Sequence, residues 1–103
     1  MTVKEYVEDV LCVPVTRIGN RYIVEAIEIV LDTKEHKFYE RLAYIHNTNS
    51  RYLEKAMRTA KNMSLLTMTT DEKLLIFGKL DVTTSEYVLK SAEYYRRRYE
   101  NEA

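Results

Sequence analysis

Glycine and proline are nearly missing from this 103-residue chain: Gly19, Gly78 and Pro14 are the whole supply. With no hairpin dipeptide and no run of strict polar–apolar alternation, that scarcity excludes a turn-rich β architecture and points to helices. It also excludes a glycine-rich phosphate loop, because the two glycines stand alone. Cysteine is down to Cys12, so no internal disulfide can form. Its apolar neighbours Leu11 and Val13 predict a buried thiol in a reducing cytoplasm. No apolar signal region follows Met1, and no segment approaches the ~20 apolar residues that span a bilayer, so neither export nor a membrane partner is expected. Net charge is absent as well, with 16 basic and 16 acidic residues. Attraction to a charged partner has to come from a local excess.

Chemistry-bearing groups are equally sparse. His36 and His46 are too far apart for a helical metal pair, and neither has a Cys or His partner at a ligand spacing. There is no nucleophile elbow and no catalytic-cysteine signature. No enzymatic activity, cofactor or metal is expected.

The chain does contain helical periodicity throughout. Its length suits one domain with one core, residues 1–103. Thr2 with Glu5, Thr69 with Glu72 and Thr83 with Glu86 are capping-box pairs that mark three helix starts. The first helix carries Tyr6, Val7, Val10 and Leu11 and runs to about Cys12 before Pro14. A second covers roughly Arg17 to Leu31, with Tyr22, Ile23, Ala26, Ile27 and Val30 inward and Arg21, Glu25, Glu28 and Asp32 outward. Gly19 near its start either permits a close helix contact or marks the boundary. Leu74, Leu75, Ile76 and Phe77 form a short helix that Gly78 stops, and the last helix follows Thr83. The expectation is an all-α, six-helix domain.

Between these lies the segment Phe38 to Met63, which reads as helix, polar break and helix. The scaffold helix, about 35–45, brings Phe38, Leu42 and Ile45 to one face with Tyr39 and Ala43 beside them. His46-Asn47-Thr48-Asn49 is the break. The next helix, about 49–63, places Leu53, Ala56, Met57 and Ala60 on an inward stripe. Arg51, Lys55, Arg58, Thr59 and Asn62 share a second, outward stripe. From Asn47 to Met63 the chain has Arg51, Lys55, Arg58 and Lys61 against Glu54 alone, an excess of three cations on a neutral body. This is a helix-turn-helix pattern, and phosphate attraction makes duplex DNA its expected partner. Thr48, Asn49 and Ser50 at the helix start suit phosphate, Glu54 suits cytosine N4 or an intrahelix pair with Arg51 or Arg58, and Lys55 and Arg58 suit guanine or phosphate.

Two further features have structural readings. Arg96-Arg97-Arg98 lies near the end of the last helix, where cations oppose the helix dipole. Tyr87, Tyr94, Tyr95 and Tyr99 supply core and rim, or a dimer surface.

The chain resembles a known family, the C-terminal DNA-binding effector domain of the stage-zero sporulation response regulator of spore-forming Firmicutes. The carriers are Val13-Pro14, the stretch GNRYIVEAI from Gly19 to Ile27, Phe38-Tyr39, NTNSRYLEKAMRTA from Asn47 to Ala60, Phe77-Gly78 and Thr84-Ser85-Glu86-Tyr87. The resemblance implies a six-helix domain whose fourth helix enters the major groove, with copies able to sit in tandem on repeated boxes. Glu54 matches a base-facing family residue, Lys55 replaces a family arginine and Arg58 retains one. Tyr52 stands where the family usually has arginine and Thr59 where it often has histidine, so base preference at those positions should differ. The family's receiver domain, which carries the phosphorylated aspartate, finds no counterpart in this sequence, and switching by that route is not expected. The reading is a cytoplasmic, sequence-specific transcriptional regulator. It binds DNA through Thr48, Asn49, Ser50, Arg51, Tyr52, Glu54, Lys55, Arg58, Thr59 and Asn62. The alternative is a protein-interaction module that keeps the fold, has lost specific DNA reading and docks a regulator or an RNA polymerase subunit through the tyrosines of the last helix.

Overall fold

A computed structural model describes residues 1–34 and 37–100. Six helices follow one another in it, and there is no strand among the described residues. Helix α1 begins at Val3–Glu5 and widens into a π-helical turn over Tyr6–Val10. Then come α2 (Ile18–Thr33), α3 (Phe38–Ile45), α4 (Ser50–Thr67), α5 (Thr70–Phe77) and α6 (Thr84–Tyr95), the last continued by a π turn over Arg96–Glu100. No helix among the described residues is long and apolar enough to cross a membrane.

The capping pairs form as the sequence predicts. In each of Thr2/Glu5, Thr69/Glu72 and Thr83/Glu86, the threonine hydroxyl accepts from the third backbone N–H and the glutamate accepts from the cap's own N–H. Four orphan N–H groups at each helix start are thereby reduced to two. The carboxylates titrate accordingly. Hydrogen bonds from Thr2 and Thr69 hold Glu5 and Glu72 below the usual carboxylate range. Glu86, bonded by Lys79 (2.6 Å) and then by Thr83, is lowered to about 2. Gly78 ends α5 in the left-handed region, φ 75°, at little steric cost.

Several boundaries differ from the sequence reading. Helix α1 stops at Val10, not Cys12, because the wide turn brings the Leu11 N–H back to the Tyr6 carbonyl (3.0 Å) and Cys12 takes φ 58°. The Cys12 thiol is half-buried where a buried one was expected, and that partial burial pushes it up from its ordinary range. Helix α2 runs two residues past Leu31, to a left-handed cap at Lys34. Helix α3 starts at Phe38, with Lys37 in a non-helical cap conformation; Glu35 and His36, at the expected start, lie outside the described residues. Helix α4 gains a full turn beyond Met63 because Ser64 and Leu65 present further packing surface.

The core gathers on α4. Leu53, Met57 and Ala60 are fully buried against Ile23, Ile27, Phe38 and Leu42, while Tyr87, Val88 and Ala92 of α6 and Tyr6, Val7 and Leu11 close the opposite side. Each buried Leu, Ile, Val or Met side chain contributes about 1.5–3 kcal/mol. One polar thread crosses this core. The Ser64 hydroxyl donates to the Leu11 carbonyl and accepts from the Tyr87 hydroxyl (2.7 Å), linking α1, α4 and α6. Burial raises the Tyr87 phenol well above its ordinary range. Gly19 resolves its two readings in favour of close contact: a Cβ there would lie 2.3 Å from the Ala56 carbonyl oxygen and 2.7 Å from the Ala60 Cβ. The first turn of α2 therefore rests directly on the backbone of α4.

Candidate nucleic-acid interface

Helix α4 is aimed by its preceding turn. Asn47 takes φ 51°, a left-handed conformation that asparagine tolerates better than most residues. The Thr48 N–H reaches back to the Ala43 carbonyl at 3.0 Å. Asn49 then caps α4, its Oδ1 accepting from the Tyr52 N–H at 2.8 Å. His46 locks the turn to α2, its Nε2 lying 2.6 Å from a Glu25 carboxylate oxygen and its ring edge-on to Tyr22. Tyr22 in turn meets the Tyr52 ring edge-on at 6.3 Å. His46, which the sequence marks as the start of the polar break, is thus the brace of the turn. No signal in the sequence pairs it with Glu25, 21 residues away.

The inward stripe is where the periodicity put it, Leu53, Met57 and Ala60 being buried and Ala56 partly so. Ile45, expected to pack with Phe38 and Leu42, is 56% exposed at the end of α3. The outward stripe forms as well: Arg51, Lys55, Arg58, Thr59 and Asn62 are all exposed along one side of α4, with Tyr52 at its edge and Asn49 and Ser50 at its head. Thr48 is half-buried in the turn.

Three residues behave differently from their sequence reading. Lys61, one of the four cations counted in the local excess, is 7% exposed and its Nζ donates to the Val82 carbonyl at 2.8 Å. It ties α4 to the α5–α6 connection and adds nothing to the surface charge. Glu54 is committed on both oxygens, one accepting from the buried Thr84 hydroxyl (3.2 Å) and the other paired with Arg58 (3.2 Å). Of the two pairs open to it, the Arg58 one forms. The Thr59 hydroxyl donates to the Lys55 carbonyl at 3.1 Å, so it is engaged by its own helix. Among the described residues, Arg51 and Lys55 form no ion pair, so the stripe's free cations sit in its first turn and a half.

The tyrosines of the last helix form core and rim, Tyr95 being buried and Tyr94 and Tyr99 half-buried. Tyr94, Tyr95 and Tyr99 all pack on Tyr6, with ring centroids 6.4, 5.2 and 5.7 Å away. Tyr95 also donates to the Met1 carbonyl. These rings fasten the last helix to the first.

The chain matches no protein-family model and no curated protein. Its residues alone define the site: a rigidly seated helix with a buried apolar side, an exposed side of two free cations, one paired arginine and several hydrogen-bonding groups, and no carboxylate on that side of α4 other than Glu54, which is paired with Arg58.

Proposed function

We propose that this protein is a sequence-specific regulator that binds duplex DNA by laying the exposed side of α4 in the major groove. The observation that carries the reading is the unbroken outward row Arg51, Lys55, Arg58 and Asn62 on a helix whose opposite side is locked into the core. A helix in the groove needs such a rigid seat, because base edges are read at hydrogen-bond distance. Arg51 and Lys55 supply phosphate or guanine contacts. Arg58 is paired with Glu54, which Thr84 in turn holds, and its planar guanidinium suits bidentate contact with guanine; the resemblance to the sporulation effector domain also places a family arginine there. Tyr52 offers one hydroxyl and apolar area in place of a cation, which shifts the preferred sequence away from that of the family. Binding in tandem copies is supported by the resemblance alone; a homodimer or an RNA polymerase contact is supported only by the aromatic character of the last helix.

Selection of bound duplexes from a randomised pool, followed by anisotropy titration of winner and scrambled duplexes at two salt concentrations, tests the proposal. An enriched motif bound far more tightly than its scramble is expected. Weak binding of both that vanishes equally with salt would reduce the interaction to electrostatics and overturn sequence reading.

A further inference from the structure

The side of α4 that carries Tyr52, Lys55 and Thr59 does not end at the helix. It continues as one wall of a groove of about 290 Å³ whose other wall is the head of α2, Arg17 and Ile18, with Gly19 and Ala56 at the floor. The lining holds two cations, two hydroxyl-bearing side chains and no carboxylate. Arg17 and Lys55 are both exposed, and among the described residues neither is in an ion pair. The next cation along α2, Arg21, lies 3.8 Å from Glu25 and is partly neutralised.

Arg17 is also held in place. Its N–H donates to the Pro14 carbonyl (3.2 Å), and the buried Asn20 side chain donates to the Val13 carbonyl (3.2 Å), so the segment leading into α2 is folded back on the helix that follows it. Gly19 brings this braced corner against the α4 backbone, closer than any side chain would permit. A helix seated in the major groove, about 12 Å wide, has a row of phosphates along each flank. On one flank of α4 stands Glu54, committed to Thr84 and Arg58; on the other stand Lys55 and Arg17. The free positive charge is on the α2 side.

We propose that Arg17 binds a backbone phosphate of the same duplex that α4 reads, so that the α2–α4 groove straddles a sugar–phosphate strand, with Ile18 and Tyr52 against the sugars. This rests on α4 being the DNA-reading helix, and it adds a contact from an element outside the helix-turn-helix. A phosphate contact fixes register without selecting sequence.

The test uses the full chain and titrates the selected and scrambled duplexes at about 50 and 200 mM salt with wild type, Arg17→Ala, Arg17→Lys, Lys55→Ala and, as a control on the far side of α6, Lys90→Ala. Arg17→Ala is expected to weaken both duplexes by the same factor, roughly three- to tenfold at the lower salt. The loss should shrink about threefold at the higher salt, because one phosphate contact accounts for about 0.9 of the salt slope. Arg17→Lys should retain most of the affinity, Lys90→Ala all of it, and thermal midpoints should stay at the wild-type value. If Arg17→Ala binds like wild type while Lys55→Ala is impaired, the clamp is wrong and the reading of α4 stands. If Arg17→Ala weakens only the selected duplex, Arg17 contacts a base and the phosphate assignment is wrong. If neither variant loses affinity, clamp and DNA reading fall together. Should Arg17→Ala lower the thermal midpoint, Arg17→Lys with a normal midpoint and normal salt slope carries the decision.

Discussion

Replacing Gly19 by alanine is the sharpest probe of how α4 is seated. The added methyl would stand 2.3 Å from a backbone oxygen of α4 and 2.7 Å from the Ala60 Cβ, where ordinary contacts are about 3.5–4.0 Å. Neither neighbour can swing aside, since one is main chain and the other is a Cβ. The helices must part by about 1 Å, opening gaps around Ile23, Leu53 and Met57, which are fully buried. Overpacking of this kind costs about 1–3 kcal/mol, sometimes more. Alanine's better helix propensity returns at most ~1 kcal/mol. The net expectation is a loss of about 1–2 kcal/mol, or roughly 4–16 °C in the melting midpoint of a domain this size. Urea and thermal unfolding followed by circular dichroism would measure it. Combining the change with Ala60→Gly should recover part of the loss beyond additivity, since it removes one of the two clashes and leaves the carbonyl. A Gly19→Ala variant as stable as wild type would refute the close approach of α2 and α4, and with it the placement of Arg17.

Three further outcomes follow from the geometry. Ser64→Ala should destabilise by about 1–3 kcal/mol, measured by urea unfolding, because it strands the buried Tyr87 hydroxyl and the Leu11 carbonyl; Ser64→Ala with Tyr87→Phe should cost less than the sum of the two. Glu86, lowered to about 2 in the fold, contributes stability that is present above its unfolded value, near 4.3, and lost as pH falls toward 2. Glu86→Gln should therefore flatten the acid limb of the melting-midpoint profile between about pH 4.5 and 2 while leaving neutral DNA binding unchanged. In binding titrations, Arg58→Ala should cost about 1–3 kcal/mol on the selected duplex and relax choice at one base pair, whereas Arg51→Ala should weaken all duplexes alike if it meets phosphate; two uniform losses would show that α4 is attracted to DNA without reading it.

How legible this was in the sequence varied with the range of the interaction responsible. Capping pairs, the Gly78 stop and the apolar stripes of α2 and α4 are settled within one or two turns, so each appeared where the residues predicted it. Local pattern also placed the polar turn before α4 and the cations facing outward. It did not place Lys61, because a lysine on a helix flank reads as solvated until a carbonyl 21 residues away comes within 2.8 Å of its ammonium. Nor did it decide between partners for Glu54, since Thr84 arrives from the start of α6. The tyrosines of the last helix show the same limit: their spacing marks an aromatic face of core and rim, and only the packing of α1 shows that Tyr6 lies against it. The last turn of α4 is invisible to local pattern because no residue after Met63 announces or forbids it, and Ser64 is held there by Leu11, 53 positions earlier.

That clasp between the first and last helices bears on how the domain opens. The Tyr6 hydroxyl donates to the Ser91 carbonyl across 85 residues, and Tyr95 returns the link to Met1 across 94. In most domains the chain ends fray first and independently. Here fraying α1 would withdraw Tyr6 and Val7 from the core and release Leu11 from Ser64, so loosening the start of the chain and dissolving the support of α4 are one event. Among the described residues, the first and last helices are thus tied to each other and to the helix between them, so loss of Tyr6 would be felt at α4 as well as at α6.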